Sequence, residues 1–188
     1  MALSRPEPDV LYVRLRDRVL TGTASDLKLE GHTNSSPLWG LVVEHGLPRG
    51  TATLVCLANG EANLYLSTGS GLAGTSTNPS IRAAASNLVL MASKLVSTAI
   101  PAESFPQPGV GEVLFWFLTT NQVLGTQASE RDLESQDHPL RQLYTSANTL
   151  LTEMHLTAKE TLTHPGAGTL TNDTESPKTK PAPNPEPR

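Results

Sequence analysis

One cysteine, Cys56, is all the thiol that this chain of 188 residues carries. A disulfide framework and a thiolate zinc site are therefore excluded within one chain, and a lone thiol in mid-strand reads as buried and inert. Long apolar runs are missing too. The longest is Val113–Leu118, far below the ~20 residues of a membrane-spanning helix. Residues 1–9 lack the apolar core of a signal peptide. The expectation is a cytoplasmic protein with no membrane partner. Basic stripes are also absent. The net charge is −4, charge is balanced over 157–188, and the acidic excess lies in 1–156. A surface that tracks phosphates needs clustered Lys and Arg, so nucleic acid is not an expected partner.

Catalytic signatures are wanting as well. His32, His45, His138, His155 and His164 show no H-x-x-x-H spacing, so no metal is assigned; His138, just before Pro139, serves at a helix start. Glu130, Asp132, Glu134 and Asp137 lack the pattern of a calcium loop. They read as a solvated approach to a helix N-terminus, where negative charge is favourable. There is no G-x-S-x-G elbow and no Gly-Lys-Ser/Thr phosphate loop. No catalytic residue and no cofactor are assigned.

What is present divides the chain into three parts. Residues 38–156 are dense in Leu, Val and Ala, and 157–188 are nearly devoid of core formers. Residues 1–37 form an N-terminal arm. In it Asp9 caps a helix over 10–20, with Leu11, Leu15 and Val19 on one stripe, although a strand over 10–15 stays open. So does whether this segment packs on its own domain or on a neighbour. Residues 38–156 form one domain. Residues 157–188 are a Pro/Thr-rich tail, and Pro177, Pro181, Pro183, Pro185 and Pro187 predict disorder.

Within the domain, strands are predicted over 38–43, 51–58 and 61–67. The last two join at Asn59-Gly60, a pair suited to the two positive φ angles of a type I′ turn. Asn78 caps and Pro79 opens a helix, whose Ile81, Ala84, Leu88, Met91 and Leu95 form one apolar face. Pro101, Pro106 and Pro108 rule out a regular element over 97–111. A hairpin follows, Glu112–Thr119 and Gln122–Gln127, turning at Thr120-Asn121. Pro139 opens the closing helix. The fold class is α+β: one antiparallel sheet of about five strands in the order (α)βββαββα, with helices packed on the sheet.

That order resembles the small antiparallel domains of the roadblock and profilin type, whose strands come as two and then three rather than three and then two. The phrases Gly46-Leu-Pro-Arg-Gly50, Leu64-Tyr-Leu-Ser-Thr-Gly69, Phe105-Pro106 and His138-Pro139-Leu140 are similar to a family of uncharacterised bacterial proteins over about 38–156. The second resemblance implies no activity. The first implies a partner-binding module, since roadblock-type domains dimerise and regulate small GTPases; that is analogy at the level of fold alone.

Two functional expectations follow. The first is a non-enzymatic interaction or regulatory module with a protein partner, as a homodimer through a sheet edge or helix face; Trp39 and Tyr12 are candidate anchors, with core packing the simpler use of Trp39. The second is a small-ligand or anion-binding domain, or an enzyme, that uses the Gly-rich loop 69–78, with Gly69, Ser70, Gly71, Gly74 and Asn78 as site residues and Arg49 or Arg82 facing an anionic group. Gly69–Gly74 has G-x-G-x-x-G spacing, but it follows a hairpin strand and no acidic residue stands ~20 residues on, as a dinucleotide site requires. A flexible connection is its plainer reading. Glu44, His45 and Arg49 together read as a solvated turn.

Overall fold

Pairs of strands that alternate inward and outward side chains, joined by short turns, account for most of this architecture. The computed structural model describes residues 5–29, 37–72 and 77–163. Gly74, His32, His164 and the expected disorder beyond 163 lie outside those residues.

The elements are α1 (Val10–Thr21), β1 (Leu38–Leu47), β2 (Gly50–Leu57), β3 (Ala62–Leu66), β4 (Gly71–Leu72), α2 (Pro79–Ser93), β5 (Ile100–Pro101), β6 (Glu112–Thr119), β7 (Val123–Ser129), α3 (Glu130–Leu133) and α4 (Arg141–Thr163). All seven strands join one antiparallel sheet in the order β4-β3-β2-β1-β6-β7-β5. The expectation of about five strands in the order (α)βββαββα is thus corrected. β4 pairs Gly71 and Leu72 with Tyr65 and Leu64, inside what reads as loop. β5 pairs Ile100 and Pro101 with Gly125 and Leu124, inside the proline-rich stretch. Pro101 is tolerated because β5 is an edge strand, where a missing N–H leaves no ladder bond unmade.

Other boundaries move for local reasons. Asn59 does not take the positive φ of a type I′ turn; only Gly60 does, at 85°. Leu57 N–H donates to Glu61 O and Gly60 N–H to Leu57 O, both at 2.9 Å. That is a three-residue loop ending in a left-handed glycine, the next most common hairpin solution. The acidic stretch after β7 winds into α3, capped by the Ser129 hydroxyl, which accepts from Asp132 N–H. α4 runs through Thr163, past the point at 157 where core formers run out. Helix formation needs only permissive residues, whereas the composition signal reports burial.

Two hydrophobic clusters lie on opposite sides of the sheet. On one side, α2 and α4 cover Leu41, Val43, Leu54, Cys56, Phe115 and Phe117. On the other, α1 lies over Val42, Val55, Leu57 and Trp116, so α1 packs on its own domain. A register shift between Leu38 and Gly40 turns Trp39 to the α1 side, where strict alternation would send it to the other. α2 begins as its sequence demands: the Asn78 side chain accepts from Ser80 and Ile81 N–H, with Pro79 in the first turn.

Candidate functional site

The α1 side of the sheet carries an unusual number of buried polar groups. Glu44 of β1 is fully buried and accepts four hydrogen bonds. Arg16 of α1 donates Nε to Oε1 and Nη2 to Oε2, both at 2.7 Å. Thr53 Oγ1 donates at 2.8 Å and Trp116 Nε1 at 2.8 Å. Because the single hydroxyl proton of Thr53 goes to Glu44, Tyr12 must be the donor in its 2.9 Å contact with Thr53. Burial pushes the Arg16 guanidinium down, but the hydrogen bonds and charge of Glu44 outweigh it and hold it above its ordinary value. Burial, then the charge of Glu44, raises the Tyr12 phenol. Every member is satisfied, the condition under which a buried polar network specifies one arrangement.

Arg16 also fixes a strap, residues 102–108. Its Nη1 donates to Phe105 O and its Nη2 to Pro106 O, each at 3.0 Å. Ala102 N–H donates to Val123 O of β7 at 3.0 Å, and Arg5 Nη1 donates to Pro108 O at 2.6 Å. The Phe105 ring meets Trp116 edge-on, with centroids 5.4 Å apart. The strap therefore crosses from β7 toward β1 over Trp116.

Neither α1 nor the strap covers the far part of this face. There an open groove of about 450 Å³ lies over Leu114, Trp116, Gly125 and Gln127. Its walls come from Ile100, Pro101, Ala102 and Pro106, and Glu103 is the one charged residue among the described lining residues. Trp116 keeps only 4% of its surface exposed. It packs against Gly125, where a Cβ would stand 2.5 Å from Cζ3 of the indole.

The residues expected to form a ligand loop are only partly brought together. Gly69, Ser70 and Gly71 line a pocket of about 140 Å³ with Leu11, Leu15 and Tyr65. Gly69 has a φ of 91°, and the carboxylate of Asp9 lies against it, 3.0 Å from where a Cβ would stand. Asn78 does not line this pocket: its carboxamide oxygen caps α2, and its Nδ2 donates to Thr157 at 3.3 Å. Arg49 is exposed in the β1–β2 turn. Arg82 donates to Asn59 O at 3.4 Å and so serves the β2–β3 turn.

The solvated-turn reading of Glu44 and His45 is corrected, because both lie inside β1 and are buried. They face opposite sides of the sheet. His45 stacks on Tyr144 of α4 at 5.2 Å, and its Nδ1 lies 3.6 Å from Glu130. Its Nε2 is buried with no hydrogen-bond partner. Burial lowers its pKa against the opposing charge of Glu130. Trp39 and Tyr12 are both core residues, not surface anchors. Cys56 is fully buried, which pushes its thiol up to about 12.

Sequence reasoning missed Arg16, Trp116, Gln127 and the strap. A charge on the buried stripe of α1, between Tyr12 and Leu20, was one available signal. Gly125 inside a strand, a mark of close approach, was another. Compared with known proteins, the chain matches no family model, no curated protein and no solved structure.

Proposed function

We propose that the protein is a non-enzymatic recognition module that takes an extended segment of a partner protein into the groove over Trp116. The segment is apolar, with a basic residue at one flank. The observation behind this reading is the half-covered α1 face. The groove floor is Leu114, Trp116 and Gly125, and Gln127 supplies an amide beside them. Binding sites are typically concave and mostly apolar, with a few polar groups that set orientation. Glu103 accounts for the basic flank, by charge complementarity. β5 pairs with β7 only at Leu124 and Gly125, so among the described residues no strand lies beside the outer edge of β7 beyond Gly125. An added strand there continues an existing ladder, a recurring mode of peptide recognition. The anion-loop alternative has less behind it, since the Asp9 carboxylate already lies against Gly69.

Selection of displayed random peptides against the full chain tests the proposal. Enriched peptides are expected to alternate apolar residues and to carry a Lys or Arg. Gln127 is exposed, so Gln127→Trp fills the groove without touching the core. It should abolish binding while leaving the thermal midpoint unchanged. Peptides that bind the variant as tightly as the parent, or no enrichment at all, would overturn the reading.

A further inference from the structure

Residues 103–108 of the strap make no backbone-to-backbone hydrogen bond among the described residues. Two arginines of the N-terminal segment take their carbonyls instead. Arg16 holds Phe105 O and Pro106 O from within the buried network. Arg5 holds the far end, where its guanidinium meets three carbonyl oxygens. Its Nε and Nη2 donate to Leu47 O, Nη2 donates also to Gly50 O at 3.0 Å, and Nη1 donates to Pro108 O at 2.6 Å. Leu47 and Gly50 belong to the β1–β2 turn, and Pro108 ends the strap. The two segments meet backbone against backbone: a Cβ on Gly46 would stand 1.6 Å from Gly109 O, and Gly111 N–H donates to Gly46 O at 2.8 Å.

We infer that the β1–β2 turn and the strap end form a seat for an arginine side chain, and that Arg5 fills it as an internal, displaceable ligand. The glycine contacts hold turn and strap end together, so the carbonyls of Leu47, Gly50 and Pro108 are already gathered around one position. The acceptors call for a guanidinium. A planar fork with fixed N–H directions can reach all three at once, whereas an ammonium is a compact point charge with no such plane. All three acceptors are neutral, and the weakly hydrated guanidinium loses less on leaving water for them than an ammonium does. Bonds to a charged donor are the stronger kind, so one side chain can secure a segment whose own backbone is unpaired. Arg5 is only half-buried, and an arginine of another chain fits the same seat. The seat ties the N-terminal arm to the groove, because the strap that it pins at Pro108 also supplies Pro106 to the groove wall.

Chemical rescue of Arg5→Ala in the full chain, followed by ¹H–¹⁵N NMR, tests the inference. The amides of Thr51 and Gly109 share peptide units with two of the carbonyls, Gly50 O in the turn and Pro108 O in the strap. Both resonances should shift in Arg5→Ala, while the far-UV circular dichroism stays that of the parent. Methylguanidinium should return both together, saturably and by more than half, over tens of millimolar, the range of a weak ligand. Methylammonium at the same concentrations should not. The parent should not respond, because a tethered arginine outcompetes a free one. Arg14→Ala, which removes an exposed arginine of α1, should leave both resonances in place. Resonances that stay put in Arg5→Ala, rescue by neither cation, or equal rescue by both would overturn the inference. No peptide enters the experiment, so its result is independent of the recognition reading of the groove.

Discussion

Toward α2 and α4 the inner strands present Leu41, Val43, Leu54, Cys56, Leu64, Phe115 and Phe117, all apolar, with one buried imidazole, His45, near the end of β1. Toward α1 the same strands present Glu44 and Thr53 among Val42, Val55, Leu57 and Trp116. The first face is closed by two long helices. The second is held by one helix and one strap, both converging on Arg16, and part of it stays open. A face buried by area tolerates any well-shaped apolar partner, because the hydrophobic effect is non-directional. A face held by directed hydrogen bonds accepts one placement of its covering elements. The polar face is thus the one on which a defined opening can be kept beside a defined cover.

Mutations should separate the two. Phe115→Ala on the α2/α4 side removes a fully buried ring and should lower unfolding free energy by about 4 kcal/mol in urea titrations. Its effect should add to that of a distant substitution on the α1 side. Glu44→Leu should cost about 3 kcal/mol by stranding the buried Arg16. Here additivity should fail: Arg16→Met/Glu44→Leu should recover more than half of that loss, since a buried ion pair often yields to an apolar pair of similar volume. Additive losses at Arg16 and Glu44 would show that the two faces are not held differently.

The smallest effect is read through pH. Burial lowers the pKa of His45 below its ordinary 6.5, so the folded state resists protonation that the unfolded chain accepts. The contribution of His45 is complete above that ordinary value. It is lost as pH falls through it toward the depressed folded value. Between pH 7.5 and 5 the parent should lose more stability than His45→Gln; equal slopes would remove His45 from the account.

The apolar face was the legible one. The spacing of Ile81, Leu88 and Met91, the Asn78-Pro79 helix start and the alternation in β6 all report burial through local period. The α1 face was not legible, because Arg16, Glu44 and Trp116 are joined across 28 and 72 residues. No local pattern encodes such a meeting. The short strands β4 and β5 were missed because they exist by pairing with a neighbour rather than by propensity, which sits poorly with Gly71 and Pro101. The groove was missed for the same reason: its floor and walls come from segments brought together only by the sheet.

The two tryptophans permit the most direct test, since both belong to the α1 face but only Trp116 lines the groove. The measurement is ¹⁹F NMR of the 5-fluorotryptophan-labelled chain, titrated with a peptide selected on it. The Trp116 resonance should shift saturably while that of Trp39, buried and donating to Thr119 O, stays in place. A titration that moves Trp39 alone, or neither resonance, would contradict the account.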